Sequence, residues 1–92
     1  MEKELLFITV IGKDRKGIVA KISNLLYKNN VNIEDISQRV MENYFVMVTL
    51  VDAKNSKCSI EKLTRELIKI EGEMNLKIQV QHENIFKMMH RV

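Results

Sequence analysis

The order of two hydrophobic periodicities along the chain is the feature that most restricts its fold. Four segments carry the apolar run or the strict alternation of β-strands. Two segments between them repeat apolar residues at the spacing of an amphipathic helix. The predicted order is therefore strand, helix, strand, strand, helix, strand.

The first half of the chain contains two predicted strands and one helix. Residues 5–11 form a short apolar run typical of a central strand. Residues 17–29 place their apolar side chains on one helical face, and Asn30 follows, a residue that tolerates the left-handed conformation at a helix end. Residues 31–40 alternate less regularly, and the shift near Asp35 predicts a β-bulge or an edge strand.

The two remaining strands show clearer patterns. Residues 44–51 give the strongest strand, and Glu42 and Asn43 before it can supply a tight turn, in which Asn43 is able to accept a positive φ. Residues 76–81 alternate apolar with polar side chains, which predicts a strand with one wet face.

The second helix is predicted over residues 60–70. Ser59 or Ser56 can cap its N-terminus, because a serine oxygen accepts a hydrogen bond from a first-turn N–H group. Gly72 is predicted to lie just past its C-terminus.

This order defines an α+β fold, the ferredoxin-like βαββαβ sandwich. Right-handed crossovers place both helices on one face of an antiparallel sheet with strand order 4-1-3-2. The 92 residues fit one domain, 1–92. Residues 84–92 are predicted to form a short C-terminal helical tail that packs on the domain or on a second subunit.

Composition and charge reduce the number of function classes that fit the chain. The net charge is +3, and acidic residues interleave with the lysines, so no basic track for nucleic acid is formed. Cys58 is the only cysteine, which excludes an internal disulfide and fits a reducing compartment. We find no signal-peptide pattern and no apolar stretch that approaches the roughly 20 residues needed to span a membrane, and we expect a cytoplasmic protein. His82 and His90 lack the spacing of a metal site, and we expect neither a metal nor a cofactor.

The segment that carries chemistry is the connection GKDRKG, residues 12–17, between the first strand and the first helix. Gly12 allows a sharp turn, and Gly17 allows the helix to begin close to the sheet. The helix N-terminus offers unpaired N–H groups and a partial positive charge, which suit a carboxylate. The same residues also suit a plain turn between a strand and a helix, so this motif alone leaves both interpretations open.

The loop GKDRKG followed by IVAKI resembles the ACT domain pattern, in which an apolar strand leads through G-x-D-[RK]-x-G into an aliphatic helix. Residues 30–36 and 44–47 are similar to the second and third strands of that family, and the resemblance covers about residues 4–83. Residues 85–92 resemble the ending of small stand-alone ACT proteins of bacteria and archaea. Many ACT loops have proline where this chain has Lys16.

The resemblance implies a regulatory domain, not an enzyme, that binds an amino acid or a related metabolite as a homodimer. The ligand would lie between the first loop of one subunit and the start of the second strand of its neighbour. Its carboxylate would meet N–H groups of the loop, and its ammonium would meet Asp14 or the side-chain carbonyl of Asn32. The candidate ligand-binding residues are Gly12, Lys13, Asp14, Arg15, Gly17 and Ile18 on the loop, and Asn30, Val31, Asn32 and Ile33 opposite it.

Three other functions stay open. A regulatory module could act by docking on a protein partner without any ligand. An RNA-binding RRM domain has the same element order and stacks bases on aromatic residues of its first and third strands; here Phe7 and Tyr44-Phe45 faintly resemble them, while the glycine-rich lead-in is missing. An acylphosphatase would use an arginine such as Arg15, but Asp14 beside it would repel phosphate.

Overall fold

The computed structural model describes residues 2–13 and 16–84. Asp14, Arg15 and the predicted tail from residue 85 onward lie outside the described residues. The elements occur in the predicted order: β1 (Leu5–Gly12), α1 (Ile18–Lys28), β2 (Asn32–Met41), β3 (Tyr44–Asp52), α2 (Ile60–Met74) and β4 (Lys77–His82).

The four strands form one antiparallel sheet in the order β2-β3-β1-β4, which confirms the predicted topology. β1 lies between β3 and β4, and its alternating burial shows that one of its faces lies in the core. β2 lies at the edge, and its register with β3 shifts between Ile33 and Asp35. Both predictions for this strand, the bulge and the edge position, are therefore confirmed.

One hydrophobic core lies between the helices and the sheet. Every second residue of β1 and β3 faces it, together with the apolar stripes of both helices. Its fully enclosed members are Leu6, Ile8, Val10, Ile18, Ile22, Leu26, Met47, Val51, Leu63 and Leu67. Burial of this apolar surface is the main force that holds the helices on the sheet.

The observed helix caps agree in part with those predicted from the sequence. Ser59 is the N-cap of α2, and its oxygen accepts a hydrogen bond from the Lys62 N–H at 3.1 Å. Asn29 ends α1, and Asn30 has a φ of 58°. The predicted end of α2 at Gly72 is wrong, because the helix continues to Met74 and ends in a left-handed Asn75 with φ 56°.

The extra turn of α2 has a physical reason. Met74 packs against the core, so apolar burial favours continuation of the helix. Asn75 then supplies the left-handed residue that Gly72 was expected to supply.

The turn between β2 and β3 also differs from expectation. The positive φ falls on Glu42, at 57°, and not on Asn43. The two-residue turn therefore carries its left-handed residue at the first central position, one residue earlier than expected.

Candidate functional site

The loop between β1 and α1 begins at a glycine that nothing larger could replace without movement. Gly12 is buried, and a Cβ built on it would collide with Cδ2 of Leu76. Gly17 is the N-cap of α1 and has a φ of 78°, a region that L side chains rarely adopt. Among the residues that the structure describes, no side chain caps this helix start. The first-turn N–H groups of α1 have no acceptor within the helix, so they can bind an anion.

The predicted loop residues differ in which of their atoms a ligand could reach. The Ile18 side chain is 0% exposed and belongs to the core, so only its backbone could meet a ligand. Lys13 is exposed at the loop rim. Asp14 and Arg15 lie outside the described residues.

The second group of predicted residues follows the end of α1. The Asn30 Nδ2 donates to the backbone oxygen of Asn55 at 3.0 Å, which ties this turn to the loop after β3. The Val31 N–H donates to the Leu26 oxygen at 2.9 Å, and the Val31 side chain is buried. Asn32 is exposed, and its Nδ2 donates to the Glu34 carboxylate. Ile33 is partly exposed on the edge strand.

The structure does not bring these two groups together within one chain. Gly12 pairs with Phe45, and Phe45 pairs with Val40 near the far end of β2. Asn32 pairs with Asp52, which pairs with Leu5 at the opposite end of the sheet. The seven residue steps from Leu5 to Gly12 correspond to about 24 Å at ~3.4 Å per residue. A site containing both groups therefore needs a second copy of the chain.

The outer edge of β2 is suited to such a contact. β2 has ten residues, and nine of them are exposed. β3 pairs with one side of it, and no other strand of the described residues pairs with its second side. Apolar side chains lie exposed along it, with Val40 at 67% and Met41 at 53%. A long edge strand with unpaired backbone groups and exposed apolar side chains is a template for strand pairing.

Sequence reasoning missed three residues beside Asn32. Tyr27, Asp52 and Asn55 line a cavity of about 250 Å³ together with Asn30, Val31 and Asn32. The length of the two strands of the β2–β3 hairpin already allowed Asp52 to be found from the sequence. Counting outward from the two-residue turn places Asp52 opposite Ile33, and the bulge moves it to Asn32.

The charges at this end of the sheet are fixed by hydrogen bonds. The Asp52 Oδ1 accepts the N–H groups of Glu4 and Lys54, both at 3.0 Å, and these two bonds lower the pKa of Asp52. Glu34 pairs with Lys3, whose hydrogen bond is the main cause of the lowered pKa of Glu34. Both carboxylates therefore stay ionised at neutral pH.

Within residues 2–13 and 16–84 the aromatic side chains do not form an RNA-stacking surface of the RRM kind. Phe45 is only 2% exposed and faces the core, so it cannot stack on a base. Tyr44 is 47% exposed and alternates with Phe45 onto the opposite face of the sheet, where Phe7 also lies. Phe7 pairs with Leu50, six residues along β3 from Tyr44, so the two residues lie about 20 Å apart at ~3.4 Å per residue and form no shared stacking platform.

The element order and the sheet topology define the chain as a ferredoxin-like βαββαβ domain. The sequence model of the ACT domain matches residues 4–81, and the chain belongs to the ACT domain family. It is 52% identical over 85 residues to a UPF0237 protein of Methanocaldococcus jannaschii, covering 92% of this chain and 94% of that protein.

Two solved structures show the same architecture. An ACT domain protein from Streptococcus pneumoniae superposes with a TM-score of 0.81 at 36% identity, covering 92% of this chain and 96% of that one. A formyltetrahydrofolate deformylase from Pseudomonas syringae pv. tomato has a TM-score of 0.81 at 21% identity, covering 90% of this chain and 28% of that enzyme, a likeness of fold alone. Over the described residues, neither helix has the length and apolar character that crossing a bilayer requires.

Proposed function

We propose that the protein is a ligand-sensing regulatory module that binds an amino acid or a related metabolite between two copies of the chain. The observation that carries this proposal is the strand register. It separates the loop of residues 12–18 from residues 30–33 by the length of the sheet within one chain. It also leaves an exposed edge strand, with four exposed apolar side chains among its ten residues, on which a second copy can pair.

Antiparallel pairing of β2 with β2 of a second copy would bring residues 12–18 of one chain and residues 30–33 of the other to the same end of the combined sheet. A two-fold axis near Ile36 and Ser37 places Asn32 of one copy opposite Met41 of the other. Met41 lies beside Val40, which is level with Gly12 in the sheet. Asn32 of one subunit then lies at the same end as Gly12 of its neighbour, across three strand spacings or about 14 Å. The loop and a bound metabolite would span that distance together.

The N-terminus of α1 in one copy and the Asn32 side chain of the other copy would offer complementary groups to an amino acid. The start of α1 presents N–H groups and the positive end of the helix dipole to a carboxylate. The side-chain carbonyl of Asn32 presents an acceptor to an ammonium group, because its Nδ2 is occupied by Glu34. An α-amino acid carries both groups on neighbouring atoms. The regulatory role is what membership of the ACT domain family implies. The lone Cys58 thiol fits a reducing compartment, and we place the protein in the cytoplasm.

The proposal is tested by titrating the full chain with the common amino acids while following amide signals and melting temperature. We expect one chemical class to shift the signals of residues 12–18 and 30–33 and to raise the melting temperature. Asn32→Ala should abolish the response, and Asn24→Ala, which removes an exposed amide from the outer face of α1, should keep it. Sedimentation equilibrium should show a dimer. A dimer that responds to no amino acid would contradict sensing and favour a docking module without a ligand.

A further inference from the structure

The cavity beside the start of β2 is built entirely by one chain. Its volume is about 250 Å³, and it lies at the end of the sheet where α1 stops and β3 ends. Its lining consists of Tyr27, Asn30, Val31, Asn32, Asp52 and Asn55. Of these six residues only Val31 has a purely apolar side chain, so the cavity is suited to a polar guest.

The cavity lining offers several hydrogen-bond acceptors. One N–H of the Asn30 Nδ2 donates to the Asn55 backbone oxygen and one N–H of the Asn32 Nδ2 donates to the Glu34 carboxylate, and the Oδ1 atom of each amide is an acceptor. The cavity also lies at the C-terminal end of α1, where the helix dipole is negative. Both features favour a cation.

Asp52 adds a fixed negative charge. Its two backbone donors, Glu4 and Lys54, both use Oδ1, and Oδ2 receives no hydrogen bond from the described part of the chain. Its pKa is lowered, mainly by those two N–H groups, so it stays ionised. Lys3 and Lys54 lie near this carboxylate, yet neither lines the cavity, and Lys3 is paired with Glu34.

Tyr27 supplies an aromatic ring at the rim. Tyr27 is 82% exposed, so its ring is not used in packing α1 against the core. An aromatic face near a carboxylate is a common arrangement for binding an ammonium group through cation–π attraction.

We propose that this cavity binds the side-chain ammonium of a diamino carboxylic acid such as lysine or ornithine. The assignment deepens the proposed function, and it rests on that function for the neighbouring loop that holds the carboxylate. The cation subsite itself needs only one chain. The residues that carry it are Asp52, Tyr27 and the amide oxygen of Asn30, while the Asn32 oxygen stays with the α-ammonium.

The test compares three probes in NMR titrations of the full chain. L-Lysine carries both charged ends, L-norleucine lacks the terminal ammonium, and 1,5-diaminopentane lacks the carboxylate. We expect lysine to bind about tenfold or more tightly than norleucine, because a hydrogen bond to a charged group contributes about that factor. The side-chain amide signals of Asn30, Asn32 and Asn55 should shift with lysine and with 1,5-diaminopentane.

Variants assign the effect to the cavity. Asp52→Asn removes the charge but keeps an oxygen for the Glu4 and Lys54 N–H groups, and it should erase the preference for lysine over norleucine. Tyr27→Ala changes an exposed side chain and should weaken lysine binding several-fold without altering the fold. Glu73→Gln removes a carboxylate from the outer face of the helices and should leave the preference intact.

The outcomes separate this proposal from the proposed function. Equal affinities for lysine and norleucine, with shifts in residues 12–18, would refute the cation subsite and keep the sensing site. Shifts of the Asn55 amide with 1,5-diaminopentane, with no response of the loop to any carboxylate, would support the subsite and refute the sensing site. Silence of all three amides with every probe would refute the subsite.

Discussion

Replacing Thr49 with valine should stabilise the protein. Thr49 is 1% exposed and faces the helices from β3, and its Oγ1 has no hydrogen-bond partner in the described structure. A buried hydroxyl without a partner costs about 1–3 kcal/mol relative to a satisfied one. Valine has nearly the same shape, so the substitution removes that cost without opening a cavity. We expect a gain of about 1–2 kcal/mol in the free energy of unfolding, or roughly 4–8 °C in melting temperature for each kcal/mol.

Urea unfolding followed by circular dichroism measures this gain. The midpoint should rise and the slope should stay constant, because the surface exposed on unfolding is unchanged. Thr64→Val is the matched control, since the Thr64 hydroxyl donates to the Ile60 oxygen at 2.8 Å and its loss should give no gain. If Thr49→Val were neutral or destabilising, the Thr49 hydroxyl would have a partner in solution, and the reasoning would be wrong.

Two glycines and one carboxylate give further predictions. Gly17→Ala should destabilise by about 1 kcal/mol in urea unfolding, because its φ of 78° is strained for alanine; an unchanged midpoint would contradict a left-handed Gly17. Gly72→Ala should stabilise by up to about 1 kcal/mol, because Gly72 lies inside α2 and its Cβ would meet open space; a loss would show that the helix ends earlier. The lowered pKa of Asp52 contributes stability above the pKa of the unfolded chain, and this stability is lost as the pH falls through the folded pKa, below about 4. Melting temperatures from pH 6 to 2 should therefore fall more steeply for the wild type than for Asp52→Asn, and equal slopes would count against the two bonds from Glu4 and Lys54.

The order of the elements could be predicted because local patterns determine it. The alternation along β3, the Ser59 cap and the irregular spacing near Asp35 each carried enough information to place an element or its edge. The end of α2 was missed because burial of Met74 outweighs the weak helix propensity of Gly72. That choice depends on packing, which the local sequence does not show.

The site was predictable only in part. The loop glycines, Gly12 and Gly17, lie five residues apart in one short segment, and a turn that needs them can be recognised from the spacing alone. The cavity is different, since Tyr27, Asp52 and Asn55 come from a helix end, a strand end and a loop. The packing of α1 on the sheet, the Asn30–Asn55 hydrogen bond and the β2–β3 register with its bulge bring them to one place.

Mixed-label paramagnetic relaxation tests the central claim most directly. A spin label is attached at Lys13→Cys in a Cys58→Ser chain without ¹⁵N, and that chain is mixed with ¹⁵N-labelled wild type, so every broadened signal reports a contact between chains. Pairing along β2 predicts broadening at Asn32 and Ile33, which lie at the opposite end of the sheet from Lys13 in their own chain. Broadening confined to β4 or the helices, or no broadening at all, would contradict it.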